Sequence, residues 1–134
     1  MKLDLSSLRR ALESLAKAIR RSEPAPQDEE LRDAVIKRFE YSYELCWKML
    51  KRQLERESPS PAEVDQFSFR DLIREGAEHG LVANPGKWMQ YRHQRNLTAH
   101  IYDSAKAVAV YQAALMFYRD ALDLLKVLEE RNAD

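Results

Sequence analysis

Two apolar series interleave along residues 105–131. Val108, Tyr111, Leu115, Tyr118, Leu122 and Leu125 recur by threes and fours, and so do Val110, Ala114, Phe117, Ala121, Leu124 and Leu128. This is the α-helical repeat, with the series about 100° or a little more apart around one axis. A helix that is apolar on two sides needs two surfaces to cover it. One series can pack into the core of a monomer. The second requires another surface, and a second copy of the chain is the simplest one.

The remaining sequence is consistent with a bundle built around that helix. Leu5, Leu8, Leu12, Leu15 and Ile19 predict an amphipathic helix over residues 5–21, capped by Asp4 or Ser6. The two prolines of residues 22–27 make a connector. Residues 28–57 predict a long helix with Leu31, Val35, Phe39, Cys46, Met49 and Leu50 on one broad face. Tyr41, Tyr43 and Trp47 widen that face as core or interface aromatics. Residues 58–66 begin SPSP and read as a loop. Ser68 and Asp71 resemble a capping box for a short helix that stops at Gly80-Leu81. Asn84-Pro85 opens a further helix running to about residue 102, and Asp103 or Ser104 caps the last. The expected fold is all-α: an antiparallel bundle of four main helices and one short helix, in one domain spanning residues 1–134, that dimerises.

Composition excludes some classes. Only three glycines argue against a turn-rich β protein. The single Cys46 excludes an intramolecular disulfide and favours a reducing cytoplasm. No apolar run is long enough to span a bilayer and the first residues carry no basic-then-apolar leader pattern, so a membrane location is not expected. With 22 basic and 22 acidic residues the formal charge is zero, which speaks against indiscriminate nucleic-acid binding but leaves room for a local basic site.

One segment has that character. Residues 79–102, HGLVANPGKWMQYRHQRNLTAHIY, contain all three histidines and the cations Lys87, Arg92 and Arg95, and no acidic residue. Within it Arg95, Asn96, His100 and Tyr102 fall inside eight positions. Arginine offers a planar, permanently charged fork suited to phosphate oxygens, and histidine exchanges a proton near neutral pH. Together they suffice to cleave RNA without a metal or other cofactor: a base removes the 2′-OH proton, and the cation steadies charge on the phosphoryl oxygens. Zinc binding by His79, His93 and His100 is not expected, since no acidic residue or cysteine lies among them. His79 and His93 read as structural or rim residues. On a straight helix Arg95 and His100 stand about 140° apart. Either the helix ends inside the motif and bends the two together, or a second subunit completes the site. Glu44 and Lys48 are spaced to form an i, i+4 ion pair; alternatively they line the cleft.

Arg-Asn-Leu-Thr-Ala-His, followed by Ile101-Tyr102, resembles the Arg-x4-His-x-Tyr ribonuclease motif of HEPN domains. RFEYSYELCWKMLK at residues 38–51 and FRDLIREGAEHGLVANPGKWMQ at residues 69–90 resemble further blocks of the same family, the nucleotidyltransferase substrate-binding proteins. The resemblance covers residues 33–125. It implies a dimer with a composite cleft and metal-independent endoribonuclease activity. In that cleft Arg95 would bind phosphate, His100 would act as acid and base, Asn96 would orient, and Arg92, Glu44 and Lys48 are possible lining residues. It also implies a toxin–antitoxin pair in which a cognate minimal nucleotidyltransferase antitoxin silences the toxin by transferring AMP to Tyr102. The family name carries a second possibility, a non-catalytic subunit that presents a substrate to its partner enzyme.

Overall fold

The computed structural model describes residues 2–133, and every regular element among them is helical. The order is α1 (Ser6–Ser22), α2 (Glu29–Glu57), α3 (Pro61–Asp65), α4 (Phe69–Glu78), α5 (Pro85–Leu97), a single 3-10 turn (Thr98–His100) and α6 (Ser104–Arg131). No helix among the described residues is long and apolar enough to cross a membrane.

Local chemistry sets most of the helix ends. Neither Asp4 nor Ser6 caps α1: Leu5 holds the cap position with no side-chain bond, and Asp4 Oδ1 instead accepts from the amide and the hydroxyl of Ser6, at 3.0 and 2.6 Å. Asp28 Oδ1 accepts from the amides of Glu30 and Leu31 to open α2, and Asp103, rather than Ser104, does the same for Ala105 and Lys106 in α6. Ser68 Oγ accepts from the Asp71 amide, which is half of the expected capping box. Asn84 occupies the cap position of α5 without a side-chain bond, and Pro85 supplies the first turn. Beyond α4, Gly80 takes φ +76°, and the Leu81 amide reaches back to the Gly76 carbonyl at 2.8 Å.

Contacts along the helices fix their directions. Ser14 meets Arg38 and Tyr41, and Ala11 meets Ser42, so α1 and α2 are antiparallel. Arg9 pairs with Glu129 and Ser22 with Tyr111, so α6 is also antiparallel to α1. Tyr91 donates to Asp120, and α5 runs back along α6. The four main helices therefore alternate in direction, with short links from α1 to α2 and from α5 to α6, and with α3 and α4 in the connection from α2 to α5. Phe117 sits at the centre, fully buried, with ring centroids 5.1 Å from Phe39, 5.7 Å from Trp88 and 5.4 Å from Tyr91.

Two elements differ from the sequence reading. The segment expected to be a loop contains α3, whose first position is Pro61 and whose Val64 is buried against the core. And α5 stops at Leu97, not near Tyr102. Thr98 Oγ1 donates to the Arg95 carbonyl at 2.8 Å, an alternative to the helical pattern that tightens the chain into the 3-10 turn.

The two apolar series of α6 have different fates. Val110, Ala114, Phe117, Ala121, Leu124 and Leu128 are all buried. In the other series Leu125 is buried, Tyr111, Leu115 and Tyr118 are half-buried, and Val108 and Leu122 remain exposed. A single copy of the chain leaves that second face partly uncovered.

Candidate functional site

The end of α5 faces a groove of about 460 Å³ whose other walls come from α2, α3 and the start of α4. Arg92, Arg95 and Asn96 reach it from α5, and Tyr43, Glu44, Trp47 and Lys51 from α2. Successive turns of two neighbouring helices thus bring basic, acidic and aromatic groups to one place.

Glu44 is the junction. Its Oε1 lies 3.0 Å from Arg95 Nε, and its Oε2 accepts from Trp47 Nε1 at 3.1 Å. The Arg95 Nε–H does not aim at the carboxylate oxygen, so that contact is an ion pair rather than a hydrogen bond. Nε itself is buried, while 38% of the Arg95 side chain is exposed. The expected Glu44–Lys48 pair does not form. Glu44 is taken by Arg95, and Lys48 instead lies 5.9 Å from the Trp47 ring centroid, outside the lining of the groove.

The floor is aromatic. Trp47, Phe67 and Phe69 are half-buried there, and the Arg92 guanidinium stacks on Phe69 at 4.8 Å. Lys51 Nζ donates to Asp65 Oδ1 at 2.7 Å, a bond that raises the Lys51 pKa and lowers that of Asp65. Burial drives the pKa of the Tyr43 hydroxyl above its ordinary value, so the side chain stays a neutral phenol. Cys46, fully buried on the same helix, is likewise pushed up by burial and has no access to the groove. The wall from residues 64–69 was missed by the sequence reading, which took residues 58–66 as loop. The signal was Phe-Ser-Phe at 67–69, two aromatics flanking a capping serine.

His100 and Tyr102 lie elsewhere. Both are exposed, His100 as the last residue of the 3-10 turn and Tyr102, by 83%, on the link to α6, and neither lines the groove. They meet each other: the Tyr102 hydroxyl is 3.4 Å from His100 Nδ1, with the rings edge to face at 5.9 Å. The helix does end inside the motif. In one chain this groups Arg92, Arg95 and Asn96 with Glu44, and groups His100 with Tyr102. His79 is at the far end of the bundle, its Nδ1 2.9 Å from Glu57 Oε1, and Arg131 binds the same carboxylate. His93 lines a second groove of about 550 Å³ between α5 and α6.

Comparison with known proteins agrees with the fold and gives the family. The chain is 37% identical over 110 residues to the protein named probable ribonuclease HepT of Haemophilus influenzae, covering 82% of this chain and 75% of that one. Its fold matches a solved structure from Haemophilus influenzae, described as the substrate binding domain of a nucleotidyltransferase. The TM-score is 0.88 at 33% identity, over 94% of this chain and 99% of that one. A crystal structure from Thermus thermophilus matches with TM-score 0.75 and 25% identity, over 90% of this chain and 98% of that one. A family model described as nucleotidyltransferase substrate binding protein like matches residues 3–130, taking in the groove, the motif and the helices that carry them, and the chain belongs to that family.

Proposed function

We propose that the protein is a metal-independent endoribonuclease, the toxin of a toxin–antitoxin pair. The observation that carries this reading is the end of α5: Arg95 and Asn96 face a basic groove, and the turn that follows immediately presents an unburied His100. Arg95 binds a bridging phosphate of RNA. His100 takes the proton of the adjacent 2′-OH; the 2′-oxygen attacks phosphorus and the bond to the 5′-oxygen breaks. The departing oxygen receives a proton, and a cyclic phosphate remains. Asn96 orients the phosphate, and the Arg95 fork stabilises the charge developing on its oxygens.

In this reading two copies of the chain supply one cleft, so that His100 of one copy is brought to the phosphate held by the other. The uncovered face of α6, with Val108 and Leu122 at 45% and 39% exposure, supports association. Sedimentation at micromolar concentration tests it, and a strictly monomeric protein would end the composite cleft. The activity test is cleavage of RNA by the partner-free protein in EDTA. Wild type cuts and His100→Ala does not; equal behaviour of the two on several RNAs overturns the proposal.

Tyr102 is the site of control. Its hydroxyl is exposed and adjoins His100, so AMP transferred there by a cognate minimal nucleotidyltransferase would place a phosphate and a nucleoside beside the catalytic imidazole. Intact-mass spectrometry after co-expression with that enzyme should show added AMP that disappears in Tyr102→Phe.

A second reading is favoured by the Glu44–Arg95 pair and the separation of His100 from the groove within one chain. In it the protein is a non-catalytic substrate-binding subunit of a two-component nucleotidyltransferase. It predicts a stable, unmodified complex with that enzyme and no nuclease activity alone.

A further inference from the structure

The groove is more elaborate than a phosphate site requires. Three cations, Lys51, Arg92 and Arg95, share its lining with an aromatic floor and with one carboxylate, Glu44. A site for phosphate alone gains nothing from a carboxylate, and a site for an apolar molecule gains nothing from the cations. The occupant that uses all three surfaces is anionic at one end, flat and aromatic at the other, and carries N–H donors on its flat part. A nucleotide has this form. The volume of about 460 Å³ lies within the range for small-molecule sites.

Glu44 narrows the choice of base. Each of its oxygens is committed once, Oε2 to Trp47 Nε1 and Oε1 to the Arg95 ion pair. A carboxylate oxygen accepts two bonds, so each retains one lone pair. The side chain is 30% exposed, which leaves that capacity reachable from the groove. Guanine carries two neighbouring N–H donors on one edge, at N1 and N2, spaced to meet the two oxygens of one carboxylate. Adenine and cytosine each present an acceptor beside their amino group, and uracil carries one N–H between two carbonyls. Only guanine avoids setting an acceptor against the carboxylate.

We propose that the groove is a guanine-reading subsite, in which the base lies against the aromatic floor with its N1 and N2 edge on Glu44 while Arg92 and Arg95 hold its phosphate. For a guanosine within an RNA strand this rests on the ribonuclease reading, and it then sets where the strand is cut. A free guanine nucleotide has the same chemistry, and the experiment separates the two sources.

Binding is measured by fluorescence anisotropy with end-labelled 2′-O-methyl hexanucleotides, which cannot be cleaved, comparing all-adenine strands with strands carrying one guanine. GMP and AMP serve as competitors. Wild type should prefer the guanine strand by about tenfold, within the discrimination of a bidentate base contact. GMP should compete more strongly than AMP. Glu44→Gln should bring the guanine-to-adenine ratio near one, whatever it does to overall affinity. A merely structural role for Glu44 would weaken all strands and leave the ratio unchanged, and that result overturns the proposal. Equal binding of all strands by wild type, together with equal competition by GMP and AMP, also overturns it, and no folding defect of the variant can mask that result. A preference for GMP without any preference among strands rejects the strand-bound form and assigns the groove to a free nucleotide. Cleavage of unmodified RNA is scored separately. Cleavage without base preference removes the strand-bound subsite and leaves the nuclease standing, and base preference in binding without cleavage does the reverse.

Discussion

Glu44 on α2 lies 3.0 Å from Arg95 on α5, and this ion pair joins two helices at the mouth of the groove. The carboxylate is itself held by Trp47 Nε1 at 3.1 Å. Arg95 is thus positioned from across the bundle, not from its own helix. The proposed chemistry predicts that Arg95→Ala lowers RNA cleavage by about 100-fold or more, the scale of losing a charge-stabilising donor. Its thermal midpoint should stay near wild type, because the side chain is partly exposed. Rates in EDTA and a melting curve on the same preparation check both halves.

His100 allows a sharper separation of activity from stability. It is exposed, and its ring meets that of Tyr102, itself exposed. His100→Ala should therefore change folding stability by no more than about 0.5 kcal/mol, as for an ordinary surface substitution. Cleavage should be abolished. A large stability loss would show that His100 has a structural role.

The Glu57 carboxylate joins α2, α4 and α6 through His79, Gln53 and Arg131. Burial pushes its pKa up, but the hydrogen bonds from His79, Gln53 and Arg131 outweigh this and hold it below the ordinary value. A carboxyl depressed in the folded state adds stability above its unfolded pKa, about 4.3, and loses it as pH falls through the lower folded value. Glu57→Gln should cost about 1–2 kcal/mol at neutral pH, the range for bonds to a charged group at a partly exposed site. The gap from wild type should shrink as pH falls below about 4. Urea unfolding at both pH values measures it, and a gap that widens in acid contradicts the assignment.

Phe117 carries the aromatic core. It is fully buried and touches Phe39, Trp88 and Tyr91 from two neighbouring helices. Phe117→Ala should destabilise by about 3–5 kcal/mol, the cost of a large cavity that its neighbours cannot fill. Calorimetry or denaturant unfolding reads this directly.

Gly80 tests the turn before the α5 segment. Its φ of +76° is the left-handed region, which costs an L-residue about 1–2 kcal/mol. Gly80→Ala should lose about that much stability while cleavage by the folded protein is retained. Denaturant unfolding with an RNA assay on the same sample separates the two effects.

The helices were legible in the sequence because their signals are local. Leu8, Leu12 and Leu15 recur at the spacing that lines one helix face, and all three are buried. Asp28, Ser68 and Asp103 cap the helices that follow them because a short side-chain acceptor satisfies nearby amides. Periodicity along α6 separated a face that is now buried from one that is partly bare. The motif from Arg95 to Tyr102 was equally readable, since its residue types and their order are properties of the chain alone.

What no local signal contained was the partner of each side chain across the bundle. By spacing, Glu44 faced Lys48 on its own helix; in the fold a permanent cation on α5 lies closer and takes the carboxylate instead. The wall of the groove from Val64, Phe67 and Phe69 depends on a five-residue helix too short to show a period, held by docking against α2. The separation of Arg95 from His100 follows from Thr98 taking the Arg95 carbonyl and ending α5 early. Sequence determined where the long helices form and which chemical groups the chain carries. Tertiary packing decided which of those groups meet, because a contact between helices depends on the relative placement of two axes, and neither helix encodes that alone.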